Sequence, residues 1–135
     1  MSQNRLLFAI LGLVAIIAVL HFFATYYGLY WTVRWFDTPM HFLGGMMVAL
    51  FVSWVGMRAG MLARMTSGKR RFFLIIGATA IVGVLWELFE LSISLRQEPG
   101  YLFDTLQDLL FDIVGGAIGY YAIYFSVLKI KSRAI

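Results

Sequence analysis

Long apolar stretches, separated by short polar segments, set the pattern of this chain. A helix needs about 20 predominantly apolar residues to cross roughly 30 Å of hydrocarbon. Four runs meet that length, at residues 6–27, 39–57, 72–95 and 105–128. The segments that join them leave no room for a second domain. The pattern therefore predicts an all-α, integral membrane four-helix bundle that forms a single transmembrane domain over residues 1–135.

The composition supports the same class of protein. Hydrophobic residues make up 61% of the chain and charged residues only 13%, which is too apolar for a soluble domain of 135 residues. The chain has no cysteine, so it has neither a disulfide nor a thiolate metal ligand. Its net charge of +4 comes from basic residues at helix ends, where a membrane protein needs them, and this argues against a nucleic-acid partner.

The basic residues also predict the orientation of the chain. All but Arg34 and Arg96 lie before the first helix, between the second and third helices, or after the fourth helix. By the positive-inside rule, both termini and the middle connection are cytoplasmic. Aromatic residues crowd the opposite, outer boundary, as an interfacial belt requires. They are Tyr26, Tyr27, Tyr30, Trp31, Trp35, Phe36, Tyr101 and Phe103.

The acidic residues gather near that outer boundary, and both histidines share their level. These residues are Asp37, Glu87, Glu90, Glu98, Asp104, Asp108 and Asp112, with His21 and His41. Placing a charged side chain within hydrocarbon costs about 2.5 to 3.5 kcal/mol. A bound cation, shared protons, a water-filled cleft or a basic partner such as Arg34, Arg96 or His41 must offset this cost.

Helical spacing places these side chains on packed faces. The three aspartates of the fourth helix are four residues apart and form one stripe, which continues through three glycines. Glu87 and Glu90 extend a stripe of small residues on the third helix, and Asp37 and His41 do the same on the second. Because small residues let helices approach closely, we expect the three faces to converge on a pocket that opens outward.

The donor types in this cluster favour a divalent metal ion. An imidazole among carboxylates, without sulfur, suits Mn, Fe, Zn or Mg. The candidate metal ligands are Asp37, His41, Glu87, Glu90, Asp108 and Asp112. His41 and Glu90 are also candidate catalytic groups, since either side chain can move a proton. Two alternatives stay open, because Asp37 is equally suited to cap the second helix and His41 to be an ordinary hydrogen-bonded histidine.

Three short motifs between residues 37 and 119 resemble those of the VanZ-like bacterial membrane proteins. They are Asp37-x-x-x-His41-Phe42, the membrane glutamate in Trp86-Glu87-Leu88-Phe89-Glu90, and Asp108-x-x-x-Asp112-x-x-Gly115-Gly116-x-x-Gly119. Asp112 stands where that family's pattern has asparagine, and Glu90 stands near its glutamine, which favours a sister family. The resemblance implies a multi-pass protein of the bacterial inner membrane that acts on or shields cell-envelope precursors or lipids.

These observations lead to three functional hypotheses. The leading one is an outward-facing Asp/Glu/His pocket that binds a divalent cation or a polar headgroup and acts on a lipid or lipid-linked envelope substrate. Whether the protein is an enzyme stays open, because no H-E-x-x-H, serine elbow or glycine-rich phosphate loop accompanies the cluster. The second is an accessory subunit that docks a partner membrane protein through its small-residue faces. The third, an ion or proton pathway, is disfavoured because the inner halves of the helices that carry the acids hold glycine, serine and apolar residues.

Overall fold

The computed structural model contains four long helices. It describes residues 3–33, 35–93 and 100–128, with side chains through Ser126. The long helices are α1, α3, α5 and α6, and two short helices, α2 and α4, lie in the connections. Their bounds are α1 Gln3–Tyr26, α2 Leu29–Thr32, α3 Asp37–Arg58, α4 Met61–Arg64, α5 Gly68–Ile93 and α6 Tyr101–Ile123, followed by a π-helical turn at Tyr124–Leu128.

The all-α membrane fold predicted from the sequence is confirmed. Among the described residues, four helices are long and apolar enough to cross a membrane. Each helix begins two to four residues earlier than its apolar run, as α5 does at Gly68 rather than at residue 72. Most of each span is not buried within the protein, since only 17% of the α1 window and 33% of the α3 window are buried. The remaining apolar surface is available to lipid.

Glycines in a left-handed conformation connect the elements. Gly28 (φ 66°) separates α1 from α2, and Gly60 (φ 69°) separates α3 from α4. Glycine adopts these backbone angles without the steric cost of a Cβ. After Gly60 the chain folds back, and Leu62 of α4 packs directly over Gly56 of α3. The middle connection is therefore anchored against the end of α3.

Helices α3 and α6 form the central pair and approach each other through glycines. A Cβ added at Gly45 would overlap the backbone carbonyl of Asp112, and one at Gly115 would overlap the backbone carbonyl of Phe42. A Cβ at Gly119 would lie 2.9 Å from the carbonyl oxygen of Met46. The close approach predicted from the glycine stripe of the fourth helix is thus confirmed, and α5 and α1 pack around this pair.

The two ends of the bundle differ in chemistry. We call the end where α3 and α6 begin the acidic end, because it holds the carboxylates, and the opposite end the basic end. The apolar core lies toward the basic end and consists of Leu6, Ile10, Ala49, Leu62, Ile75, Tyr120 and Ile123. There the hydroxyl of Tyr120 donates a hydrogen bond of 3.0 Å to the carbonyl of Gly68, which ties α6 to the start of α5.

Candidate metal centre

His41 lies at the centre of the acidic cluster and is only 5% exposed. One of its ring nitrogens, Nδ1, is 3.3 Å from Oδ2 of Asp112. The other, Nε2, faces three carboxylate oxygens that come from three different helices. They are Oε1 of Glu87 at 3.7 Å, Oδ2 of Asp37 at 3.9 Å and Oδ2 of Asp108 at 4.0 Å. The second, third and fourth predicted spans therefore converge on one imidazole.

Three buried polar atoms in this cluster lack a hydrogen-bond partner within the described parts of the chain. They are Nε2 of His41, Oε1 of Glu87 and Oδ1 of Asp108. The gaps from Nε2 to the carboxylates exceed the 2.7–3.2 Å range of an ordinary N–H···O bond. Leaving a buried donor or acceptor unsatisfied costs about 1–3 kcal/mol for each group. Such a group of atoms is typical of a site that a ligand completes.

Two side-chain hydrogen bonds from α6 fix groups in and beside the cluster. The hydroxyl of Thr105 donates a 2.8 Å hydrogen bond to Oε2 of Glu87, which leaves Oε1 to face His41. The side-chain amide of Gln107 donates a 2.8 Å bond to the hydroxyl of Thr38 and joins α6 to α3 beside the cluster. Thr105 was not among the residues predicted from the sequence. The sequence does indicate Thr105, because it lies three residues before Asp108 and therefore on the same side of the helix.

Asp112 is enclosed by glycine on two helices. A Cβ at Gly83 of α5 would lie only 2.5 Å from Oδ2 of Asp112, and a Cβ at Gly44 of α3 would lie 4.0 Å from Oδ1. Asp112 is itself 6% exposed. Its carboxylate thus occupies the space that a side chain at Gly83 would need, on the side of the imidazole opposite the other carboxylates.

Comparison with known proteins identifies a family for this chain. The family described as predicted membrane protein (DUF2238) matches residues 3–129, nearly the whole chain. This chain belongs to that family. No curated protein and no solved structure matches it. Membership in DUF2238 confirms a multi-pass membrane protein, whereas the kinship with VanZ-like proteins stays a prediction.

Among the other predicted residues, those that the structure describes differ in their burial and in their distance from the cluster. Asp37 and Glu90 are half-buried, and a donor atom of each lies within 4.8 Å of the other and of His41. Asp104 is exposed in the first turn of α6, where a negative charge favours the helix N-terminus. His21 is exposed and bonds Tyr30 (2.9 Å). Outside the described residues lie Arg34, Ser94, Arg96, Glu98, Lys129, Lys131 and Arg133.

Replacing Gly83 by alanine is expected to weaken ion binding at this site without removing a single donor atom. The added methyl group would push the Asp112 carboxylate away from Nδ1 of His41. Disturbing the hydrogen-bond partner of a metal-binding histidine typically costs 10- to 100-fold in metal affinity. The matched control is Gly77→Ala on the same helix, where a Cβ meets nothing within 4 Å. Titration of the purified variants with Mn²⁺ measures the effect, and equal affinities for the two variants would contradict it.

Proposed function

We propose that this membrane protein binds one divalent cation at the acidic end, with His41, Glu87 and Asp108 as its ligands. One observation carries the proposal: Nε2 of a histidine that is 5% exposed faces three carboxylates without a hydrogen-bond partner among the described residues. A cluster of acids alone would not indicate an ion. An orphaned, buried nitrogen aimed into that cluster does.

The distances support a shared ion. Two ligands bound about 2.1 Å from one tetrahedral ion are about 3.4 Å apart. The gaps of 3.7–4.0 Å from Nε2 are close to that separation and too long for hydrogen bonds. Small movements of the Glu87 and Asp108 side chains would complete the coordination.

Asp112 has a different role in this proposal. If Nδ1 of His41 carries the proton and donates it to Asp112, Nε2 keeps the lone pair that a metal needs. A carboxylate that accepts from the far nitrogen of a metal-bound histidine fixes the ring and increases its basicity. Asp112 would therefore orient His41 rather than bind the ion. One imidazole among carboxylates suits Mn²⁺, Fe²⁺ or Zn²⁺ better than Mg²⁺.

We further propose that the site acts on a lipid or lipid-linked substrate at the outer face of the bacterial inner membrane. The orientation is inferred from the positive-inside rule, and the envelope substrate from the resemblance to VanZ-like proteins. A bound divalent ion supplies Lewis-acid chemistry toward water and toward a phosphoryl or acyl oxygen. We assign the acceptance of a proton to half-buried Glu90, because His41 would already be engaged as a ligand.

The two alternative functions receive less support. An accessory subunit was inferred from small-residue faces, but Gly45, Gly115 and Gly119 pack against this chain's own helices. A pathway for ions or protons through the membrane needs ionisable or hydrated groups along its length. Toward the basic end, the buried residues in the described part of the chain are apolar, such as Ala49 and Ile75, or uncharged, as Ser53 and Thr79 are. These contacts favour a binding site that is reached from one face only.

The proposal is tested by the metal content of the detergent-purified protein. We expect about one ion per chain in the wild type, and almost none in Glu87→Gln or Asp108→Asn, because each variant removes a buried donor. Asp104→Asn removes one charge from an exposed position on α6 and should retain the ion. A wild-type protein without an ion after incubation with Mn²⁺, Fe²⁺ and Zn²⁺ would refute the proposal.

The proposed action on a lipid is tested separately, by hydrolysis of a short-chain phospholipid with and without a chelator.

A further inference from the structure

Two sets of donor atoms in this cluster satisfy the geometry for one ion, and both include His41. In the first set, Glu87 and Asp108 are 6% and 3% exposed. In the second set, Asp37 and Glu90 are only half-buried. Within each set, the donor atoms lie within 4.8 Å of one another. The cluster therefore offers a deep and a shallow arrangement around the same imidazole.

Both sets depend on a single lone pair. Nδ1 of His41 is occupied by Asp112 at 3.3 Å, so only Nε2 is available to a metal. One nitrogen lone pair binds one ion at a time. The two sets therefore describe two positions of one ion rather than a centre with two ions.

We infer that the ion first binds in the shallow position between Asp37, His41 and Glu90, and then moves to the deep position between His41, Glu87 and Asp108. This inference rests on the proposed function and adds the route by which the site is loaded. Half-exposed carboxylates keep part of their hydration, so they bind a hydrated ion with little loss of water from either partner. The buried carboxylates bind the ion after the ion has lost its water.

The surroundings of the shallow set agree with this route. Tyr30 of α2, in the connection at the acidic end, bonds His21 at 2.9 Å and packs edge-on against Phe36. Burial and then the charges of Asp37 and Glu90 raise the pKa of Tyr30 to about 12, so its phenol lies near both carboxylates. The shallow set thus borders the connection between α1 and α3. Beyond the deep set, the bundle is closed by the α3–α6 glycine contacts and by apolar core.

The test uses two double variants of the full-length protein that remove the same charge. Asp37→Asn with Glu90→Gln removes the shallow carboxylates, and Glu87→Gln with Asp108→Asn removes the deep ones. We follow Mn²⁺ binding by stopped-flow and by electron paramagnetic resonance at equilibrium. The shallow variant should slow association about tenfold or more, as expected when steering charges are lost. Its Kd should change less than that of the deep variant, which should rise about 100-fold or more, the scale of losing a partner in a buried ionic site.

The outcomes separate this inference from the proposed function. A wild-type protein that does not bind Mn²⁺, Fe²⁺ or Zn²⁺ would overturn both. Binding by the wild type, with equal losses of affinity and unchanged association rates in the two double variants, would overturn only the two-position inference. Circular dichroism of each variant ensures that a loss of binding is not a loss of the helices.

Discussion

Replacing His41 by glutamine is expected to raise the Kd for Mn²⁺ by about 100-fold or more, the equivalent of roughly 3 kcal/mol. The reason is that His41 belongs to both sets of donors, so no arrangement of the carboxylates alone recovers the contribution of its imidazole. Isothermal titration of the detergent-purified protein measures the change. His21→Gln is the matched control, since His21 is exposed and bonds Tyr30 instead of the cluster.

The same variant should lose the stabilisation that the ion confers. Binding to the folded state alone raises its stability by RT ln(1 + [L]/Kd), or about 2.7 kcal/mol when the ion is present at 100 times Kd. Thermal unfolding of the wild type should therefore shift upward on addition of Mn²⁺, and that of His41→Gln should not. Wild-type affinity in His41→Gln would show that the ion does not bind this imidazole.

Replacing Gly115 by alanine is expected to lower the stability of the bundle by about 3 kcal/mol, the upper end of what overpacking a core costs. The added methyl group would overlap the backbone carbonyl of Phe42, and neither backbone can turn aside as a flexible side chain could. For a chain of this size the unfolding midpoint in detergent should fall by about 10 °C. Circular dichroism during heating measures this shift.

Two other glycines serve as controls for that substitution. A Cβ at Gly12 of α1 or at Gly77 of α5 meets nothing within 4 Å. Alanine at either position should leave the midpoint unchanged or raise it slightly, because alanine favours a helix over glycine by about 0.5–1 kcal/mol. If Gly115→Ala unfolds at the same temperature as these controls, the backbones of α3 and α6 do not touch at Gly115 and Phe42.

The four spans could be predicted because the length of an apolar run is a local property of the sequence. The early helix starts could not, because they involve polar residues such as Asp37 and Lys69, which continue a helix beyond the edge of the hydrocarbon. The short helices were also missed. Four residues are too few to show a helical period, and α4 depends on the packing of Leu62 over Gly56.

Part of the candidate site could also be predicted from the spacing of its residues along the helices. Asp108 and Asp112 share a stripe, as do Asp37 and His41, and the structure brings all four together. Spacing could not show that Asp112 lies on the Nδ1 side of the imidazole, because that depends on side-chain rotamers and on how two helices cross. The expected open pocket also differs from the structure, in which His41, Glu87 and Asp108 are packed and buried.

The middle connection divides this protein into two halves with complementary chemistry. The first half, α1 to α3, supplies His41 and Asp37, and the second half, α5 and α6, supplies the other carboxylates. Each half is a helical hairpin that can enter the bilayer separately, as expected for the staged assembly of membrane proteins. The complete donor set exists only after the hairpins dock through α3 and α6. An ion bound at His41 would therefore stabilise only a chain whose two hairpins have docked.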